Sequence, residues 1–183
     1  MMHPIEVIFS EIEQVFAEFD HMSIECVAMR LAKAKRIFVA GEGRSGFMGK
    51  AFAMRLMHLG ATVYAVGETV TPSLQSGDTL IAISGSGVTK QTVWIAEKAK
   101  QLGCEVIAVT TDLSSALANI ASLTVHIPAA TKYRRGHETQ SKQPLGSLFD
   151  QCTHLILDAI CLQYANNQQV EHQKAFQRHS NLE

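Results

Sequence analysis

Five short and nearly uninterrupted apolar runs, alternating with stretches of helical periodicity, constrain this chain more than any other feature. The runs are Ile37-Phe-Val-Ala40, Thr62-Val-Tyr-Ala-Val66, Thr79-Leu-Ile-Ala-Ile83, Glu105-Val-Ile-Ala-Val109 and Leu123-Thr-Val-His-Ile127. Strands apolar on both sides of the pleat must be covered on both faces, and their alternation with helices predicts a parallel sheet. Before them, Ile5, Ile8, Phe9, Ile12, Val15, Phe16 and Phe19 recur at helical spacing, with Glu6, Glu11, Glu13 and Glu18 between them. A second helix is predicted from near Ser23 to about Lys35. The stripe of the first helix is more aromatic than one sheet face needs, which predicts burial of part of it against another subunit.

The expected organisation is a single unit over 1–183: leading helices over 1–35, a parallel α/β core over 36–128, a loop over 129–146, and a C-terminal helix and tail over 147–183. The loop is polar and aperiodic, and its length makes it suspect as a functional segment. With 183 residues, 46% hydrophobic and 18% charged, the chain has enough material for a buried core without disulfide staples. Cys26, Cys104, Cys152 and Cys161 form no CxxC pair and read as reduced core cysteines. Sixteen basic against 17 acidic residues, without a basic run, argue against nucleic acid and anionic membranes as partners. No basic leader and no apolar span of about 20 residues is seen, so a soluble cytoplasmic protein is expected.

Two loops could hold a phosphate. Gly41-Glu-Gly-Arg-Ser-Gly46 follows the first strand and matches GxGxxG, with the next helix expected over about Phe47 to His58. No clear acidic residue follows about 20 positions later to grip a ribose, and Lys50 lacks the frame of a nucleotide P-loop, so a dinucleotide or nucleotide is disfavoured. Ser84-Gly-Ser-Gly-Val-Thr89 leaves the third strand and enters a helix, offering hydroxyls and unencumbered amides to a small dianion. A tight turn with Ser and Thr as caps is the plainer reading of that loop. Both loops fall at carboxyl ends of strands, where open α/β sheets bind ligands.

With these residues in view, the chain resembles a sugar isomerase (SIS) domain, and within that superfamily 6-phospho-3-hexuloisomerase. The resemblance is carried by Ser84-Gly-Ser-Gly-Val-Thr89 behind two leading helices, by Gly41-Glu-Gly-Arg-Ser-Gly46, and by Phe52-Ala-Met-Arg-Leu-Met-His-Leu-Gly60. Gln143-Pro-Leu-Gly-Ser-Leu-Phe149 and the terminal Arg178-His-Ser-Asn-Leu-Glu183 complete it, in collinear order. It implies a flavodoxin-like three-layer αβα sandwich with a five-stranded parallel sheet. It also implies a homotetramer with sites at subunit boundaries, and conversion of D-arabino-3-hexulose 6-phosphate to fructose 6-phosphate. The metabolic partner would be 3-hexulose-6-phosphate synthase, which condenses formaldehyde with ribulose 5-phosphate in the ribulose monophosphate pathway.

Such a reaction needs a base and a proton shuttle, but no redox cofactor, and no metal-binding spacing is present in the sequence. The family's glutamate base after Ser-Leu-Phe is matched here by Asp150, one methylene shorter. Ser147-Leu-Phe-Asp150 also reads as a variant capping box, with Asp150 favourable in a first helical turn. His179 in the tail is the second catalytic candidate, able to act from a neighbouring subunit; a solvated tail histidine is the alternative. Arg44 and Ser45 are expected to meet substrate, and Ser84, Gly85, Ser86, Gly87, Val88 and Thr89 to hold its phosphate. Glu68 and Thr71 could line the same cleft or be solvated. His154 is expected as a packed or supporting histidine, and Met54-Arg55-Leu56-Met57 as helix core and subunit interface. The rivals are another SIS isomerase, such as one acting on arabinose 5-phosphate, and a sugar-phosphate-binding module without turnover.

Overall fold

In the computed structural model, which describes residues 3–182, the five apolar runs become one parallel sheet. Its strands are β1 (Ile37–Gly41), β2 (Val63–Ala65), β3 (Thr79–Ile83), β4 (Glu105–Thr110) and β5 (Leu123–His126), in the order β2-β1-β3-β4-β5. Ile37 stands beside both Val63 and Thr79, and Thr79 beside Glu105, so the three central strands start level. The helices are α1 (Pro4–Glu18), α2 (Met22–Lys33), α3 (Gly43–His58), α4 (Lys90–Gln101), α5 (Ala116–Ile120), α6 (Ser147–Asn167) and α7 (His172–Gln177).

The period-2 alternation of the strands divides the interior into two cores. Ile37, Val39, Ile81, Ile83, Ile107 and Val109 face the side covered by α1, α2, α3 and α6. Phe38, Ala40, Leu80, Ala82, Val106 and Ala108 face the side covered by α4 and α5. Each fully buried side chain of this size stabilises by roughly 1.5–3 kcal/mol. Cys104, Cys152 and Cys161 are buried, Cys26 is half-buried, and all four are free thiols. Burial among apolar atoms lifts the thiols of Cys152 and Cys161 to about 12, so both stay protonated and unreactive.

The arrangement is the three-layer sandwich expected, with the topological reversal between β1 and β3. The chain leaves β1 into α3 on one face of the sheet and leaves β3 into α4 on the other. A crevice must therefore open outside their adjoining carboxyl ends. Among the described residues, no helix is long and apolar enough to cross a membrane.

One boundary differs from expectation. Helix α3 begins at Gly43, not Phe47, so most of the first glycine loop is helical. The glycines serve close packing: a Cβ on Gly46 would lie 2.6 Å from the Gly41 carbonyl oxygen. Only glycine lets the end of β1 meet the first turn of α3 that closely.

Candidate active site

The early start of α3 turns Arg44 and Ser45 toward the first turn of α6. Ser45 Oγ donates to Asp150 Oδ1 at 2.9 Å, and Arg44 Nε donates to Asp150 Oδ2 at 3.2 Å. The Asp150 side chain is only 7% exposed, whereas that of Arg44 is 61% exposed. Burial raises the Asp150 carboxyl above the ordinary aspartate range, and the Ser45 hydrogen bond and the Arg44 charge only partly oppose this. The capping-box reading does not hold. Gly146 is the N-cap of α6 without a side-chain cap bond, and the Asp150 carboxylate spends both oxygens on α3.

The second loop is braced from behind. Ser84 Oγ and Thr89 Oγ1 are 2.8 Å apart and hydrogen-bonded, with Ser84 buried. The Gly85 carbonyl accepts from Thr110 Oγ1, Thr111 Oγ1 and the Thr111 amide. The Ser86 carbonyl accepts from Arg135 Nη1 at 3.2 Å, and the Gly87 carbonyl from the Leu117 amide at 3.0 Å. Gly87 has φ +65°, and a Cβ there would lie 2.1 Å from Ser115 Oγ, so the turn admits glycine alone. With those acceptors engaged, the loop presents mainly N–H and O–H donors to anything that enters, the electrostatics an anion requires.

Between the two loops lies a cleft of about 390 Å³, lined by Arg44, Ser45, Gly85, Ser86, Thr89 and Asp150. Of the residues expected there, Ser84 supports the loop from behind, Gly87 faces Ser115, and Val88 is exposed outside the cleft. His179 is not brought to Asp150 within the chain. Its ring stacks on buried His58 at 5.1 Å, and Arg178 Nη1 donates to the His58 carbonyl at 3.3 Å. That is the far end of α3 from Ser45, a 16-residue helix roughly 24 Å long at 1.5 Å per residue. Glu183, the last residue of that tail motif, lies outside the described residues.

Other candidates are placed elsewhere. Glu68 pairs with Lys50 and Thr71 Oγ1 donates to the Ala65 carbonyl, so neither lines the cleft. His154 sits half-exposed, 3.5 Å from Asp158, instead of packed. Leu56 enters the core while Met54 and Met57 remain exposed on α3.

The residues that sequence reasoning missed come from the 129–146 loop and the segment after it. Thr131, Lys132 and Tyr133 form one wall of the cleft, and Leu145, Gly146 and Phe149 another. Two buried carboxylates hold that loop. Glu138 accepts from the Thr131 amide (2.8 Å) and hydroxyl (2.7 Å) and from Thr111 Oγ1 (3.3 Å). Glu11, expected on the polar face of α1, is buried instead, and accepts from Ser141 Oγ (2.6 Å), the Lys142 amide (2.7 Å) and Gln143 Nε2 (3.0 Å). Burial alone would raise the Glu11 carboxyl, but these donors and the Arg134 charge hold it below the ordinary range. The length and aperiodic polar character of the loop, and the resemblance carried by Gln143–Phe149, were the advance signals of its role.

Residues 30–154 match the SIS domain family. A 3-hexulose-6-phosphate isomerase of Mycobacterium gastri is 38% identical over 179 residues, covering 98% of this chain and 89% of the relative. The protein of the same name from Bacillus subtilis is 38% identical over 176 residues, 96% and 95% of the two chains. A solved structure from Methanococcus jannaschii, described as inferring a molecular function of 3-hexulose-6-phosphate isomerase, superposes with a TM-score of 0.85. That structure is 32% identical, and the match covers 100% of both chains. The chain belongs to the SIS domain family. Within it, the full-length relatives at 38% identity just described carry the name of a phosphosugar isomerase.

Proposed function

We propose that the protein interconverts D-arabino-3-hexulose 6-phosphate and fructose 6-phosphate through a 2,3-enediol. The observation that carries the reading is the buried Asp150 carboxylate, held by Ser45 and Arg44 in the cleft that the Ser84–Thr89 loop also lines. The loop anchors the phosphate through Ser86, Thr89 and its amides. Asp150 takes the proton from C2 of the 3-ketose and returns it to C3, while a proton passes from O2 to O3. The reaction leaves the oxidation level of the whole sugar unchanged, so it requires no electron carrier. A raised carboxyl suits a base that must also give its proton back. Exposed Arg44, facing both the carboxylate and the cleft, keeps Asp150 ionised and stabilises charge developing on the enediol oxygens.

His179 shuttles the proton between O2 and O3 from a neighbouring copy of the chain, its position here being the far end of α3 in its own subunit. The assembly is a homotetramer, acting in the cytoplasm beside 3-hexulose-6-phosphate synthase in formaldehyde assimilation or detoxification. The full-length relatives named 3-hexulose-6-phosphate isomerase support this substrate over an aldose phosphate. Incubation with fructose 6-phosphate, and separately with arabinose 5-phosphate, tests the reading. A new 3-ketose phosphate from the first and no product from the second is expected. Ribulose 5-phosphate from the second would favour the rival isomerase, and no turnover of either would favour a binding module.

A further inference from the structure

We propose that Lys132 is a specificity-determining residue whose ammonium group binds the phosphate of the substrate, an inference that rests on the reading of the cleft as a sugar-phosphate site. The charges lining the cleft are those of Glu42, Arg44, Lys132 and Asp150. Arg44 is committed to Asp150, and Arg135, just outside, to Asp112 and the Ser86 carbonyl. Lys132 is therefore the lining cation not engaged by a carboxylate in any of these pairs. Glu42, at the N-cap of α3, repels a dianion from that side of the cleft and so favours the flank of Ser86 and Thr89.

The segment carrying Lys132 is fixed against that flank at both ends. On one side, Thr131 Cγ2 packs where it would be 3.2 Å from a Cβ on Gly85. On the other, the Arg135 guanidinium holds the Ser86 carbonyl. Between them, Lys132 and Tyr133 turn to the cleft, with Lys132 Nζ 5.1 Å from the Tyr133 ring centroid. Buried Glu138 locks the backbone by accepting from the Thr131 amide and hydroxyl. The Ser84–Thr89 loop carries no cation of its own. A phosphate with about −1.5 to −2 charge would otherwise be bound by neutral donors alone. The Lys132 ammonium supplies that charge at a point, whereas Arg44, bonded to Asp150 through Nε, sits beside the carboxylate that does the chemistry.

The test titrates fructose 6-phosphate and inorganic phosphate calorimetrically into the parent chain, Lys132→Gln and Lys132→Arg, and measures KM and kcat for isomerisation on all three. Lys132 is exposed, so both variants fold. Lys132→Gln is expected to weaken both ligands by roughly tenfold to hundredfold, with the loss in catalysis falling on KM, and Lys132→Arg to restore most of it. The salt dependence of binding should be shallower in Lys132→Gln than in the parent. Unchanged affinity for both ligands in Lys132→Gln overturns the assignment. So does weakening of fructose 6-phosphate alone, because the lysine would then be reading the sugar. If the parent binds both ligands but turns over nothing, the isomerase reading falls while the role of Lys132 stands.

Discussion

Asp150→Asn separates chemistry from architecture in one substitution. The amide keeps the shape of the side chain, and its oxygen can still accept from Ser45 Oγ, which lies 2.9 Å from Oδ1. The lost partner is Arg44, whose side chain is 61% exposed and returns to water at a cost of at most about 1 kcal/mol. Removing the general base should lower kcat by at least about 10²-fold while substrate affinity stays close to the parent value.

The same change should stabilise the fold. Burial raises the folded Asp150 carboxyl above its unfolded range, so the folded state holds that proton longer than the unfolded chain does. Stability is therefore lost as pH rises through the window between the two values, and above it the buried charge remains a standing cost. Asn at this position carries no such cost. Thermal melts at neutral pH should give Asp150→Asn a higher Tm than the parent, with the gap closing in acid. The coupled isomerase assay and the melt are run on the same preparation. Parental turnover would show that Asp150 is not the base. A lower Tm at neutral pH would refute the argument that its burial is a cost borne for function.

The acid limb of the kcat/KM profile should lie above the ordinary aspartate range, because protonation of Asp150 removes the base; a limb at or below that range would contradict the burial argument. Ser86→Ala and Thr89→Ala should each weaken fructose 6-phosphate binding by roughly tenfold or more in calorimetry, with unchanged far-UV circular dichroism. Glu11→Gln should loosen the 129–146 loop, seen as faster tryptic cleavage at Lys132, Arg134, Arg135 and Lys142. Because the Glu11 carboxyl is held below its ordinary range, its stabilisation is present above that range and lost as pH falls through it, and Tm measured against pH should lose this component in Glu11→Gln. Phe9 is 60% exposed on α1, and Phe9→Lys should shift a sedimenting oligomer toward smaller species; a stable parental monomer at micromolar concentration would contradict the proposed assembly.

The sheet was legible because its strands are locally coded: the central runs, Thr79–Ile83 above all, are buried on both faces, and the edge runs repeat their apolar pattern. Ser45 and Ser86 were legible because each follows a strand in a glycine-rich segment at the carboxyl edge of the sheet, whereas Asp150 was legible only through the resemblance carried by Ser147-Leu-Phe149. The start of α3 was misread because the GxGxxG match was taken as a loop, without the contact between Gly46 and Gly41 that packs the first helical turn against the end of β1. Glu11 looked like one of four equivalent surface glutamates, since its partners Ser141 to Gln143 are some 130 positions away and no local pattern announces them. Glu138 and Lys132 were hidden for the same reason, inside a loop whose hydrogen bonds are almost all to other elements or across its own turns. The capping-box reading of Asp150 failed because a local rule was overridden by a partner 105 positions away, Ser45.

The central claim is that a buried carboxylate moves a proton between C2 and C3 of a phosphate-anchored ketose. Incubation of the protein with fructose 6-phosphate in D2O, followed by proton and carbon NMR, tests it most directly. The account predicts a 3-ketose phosphate at equilibrium and deuterium accumulating at C3 of fructose 6-phosphate, both lost in Asp150→Asn. Deuterium at C1 with an aldose product, or exchange that persists unchanged in Asp150→Asn, would contradict it.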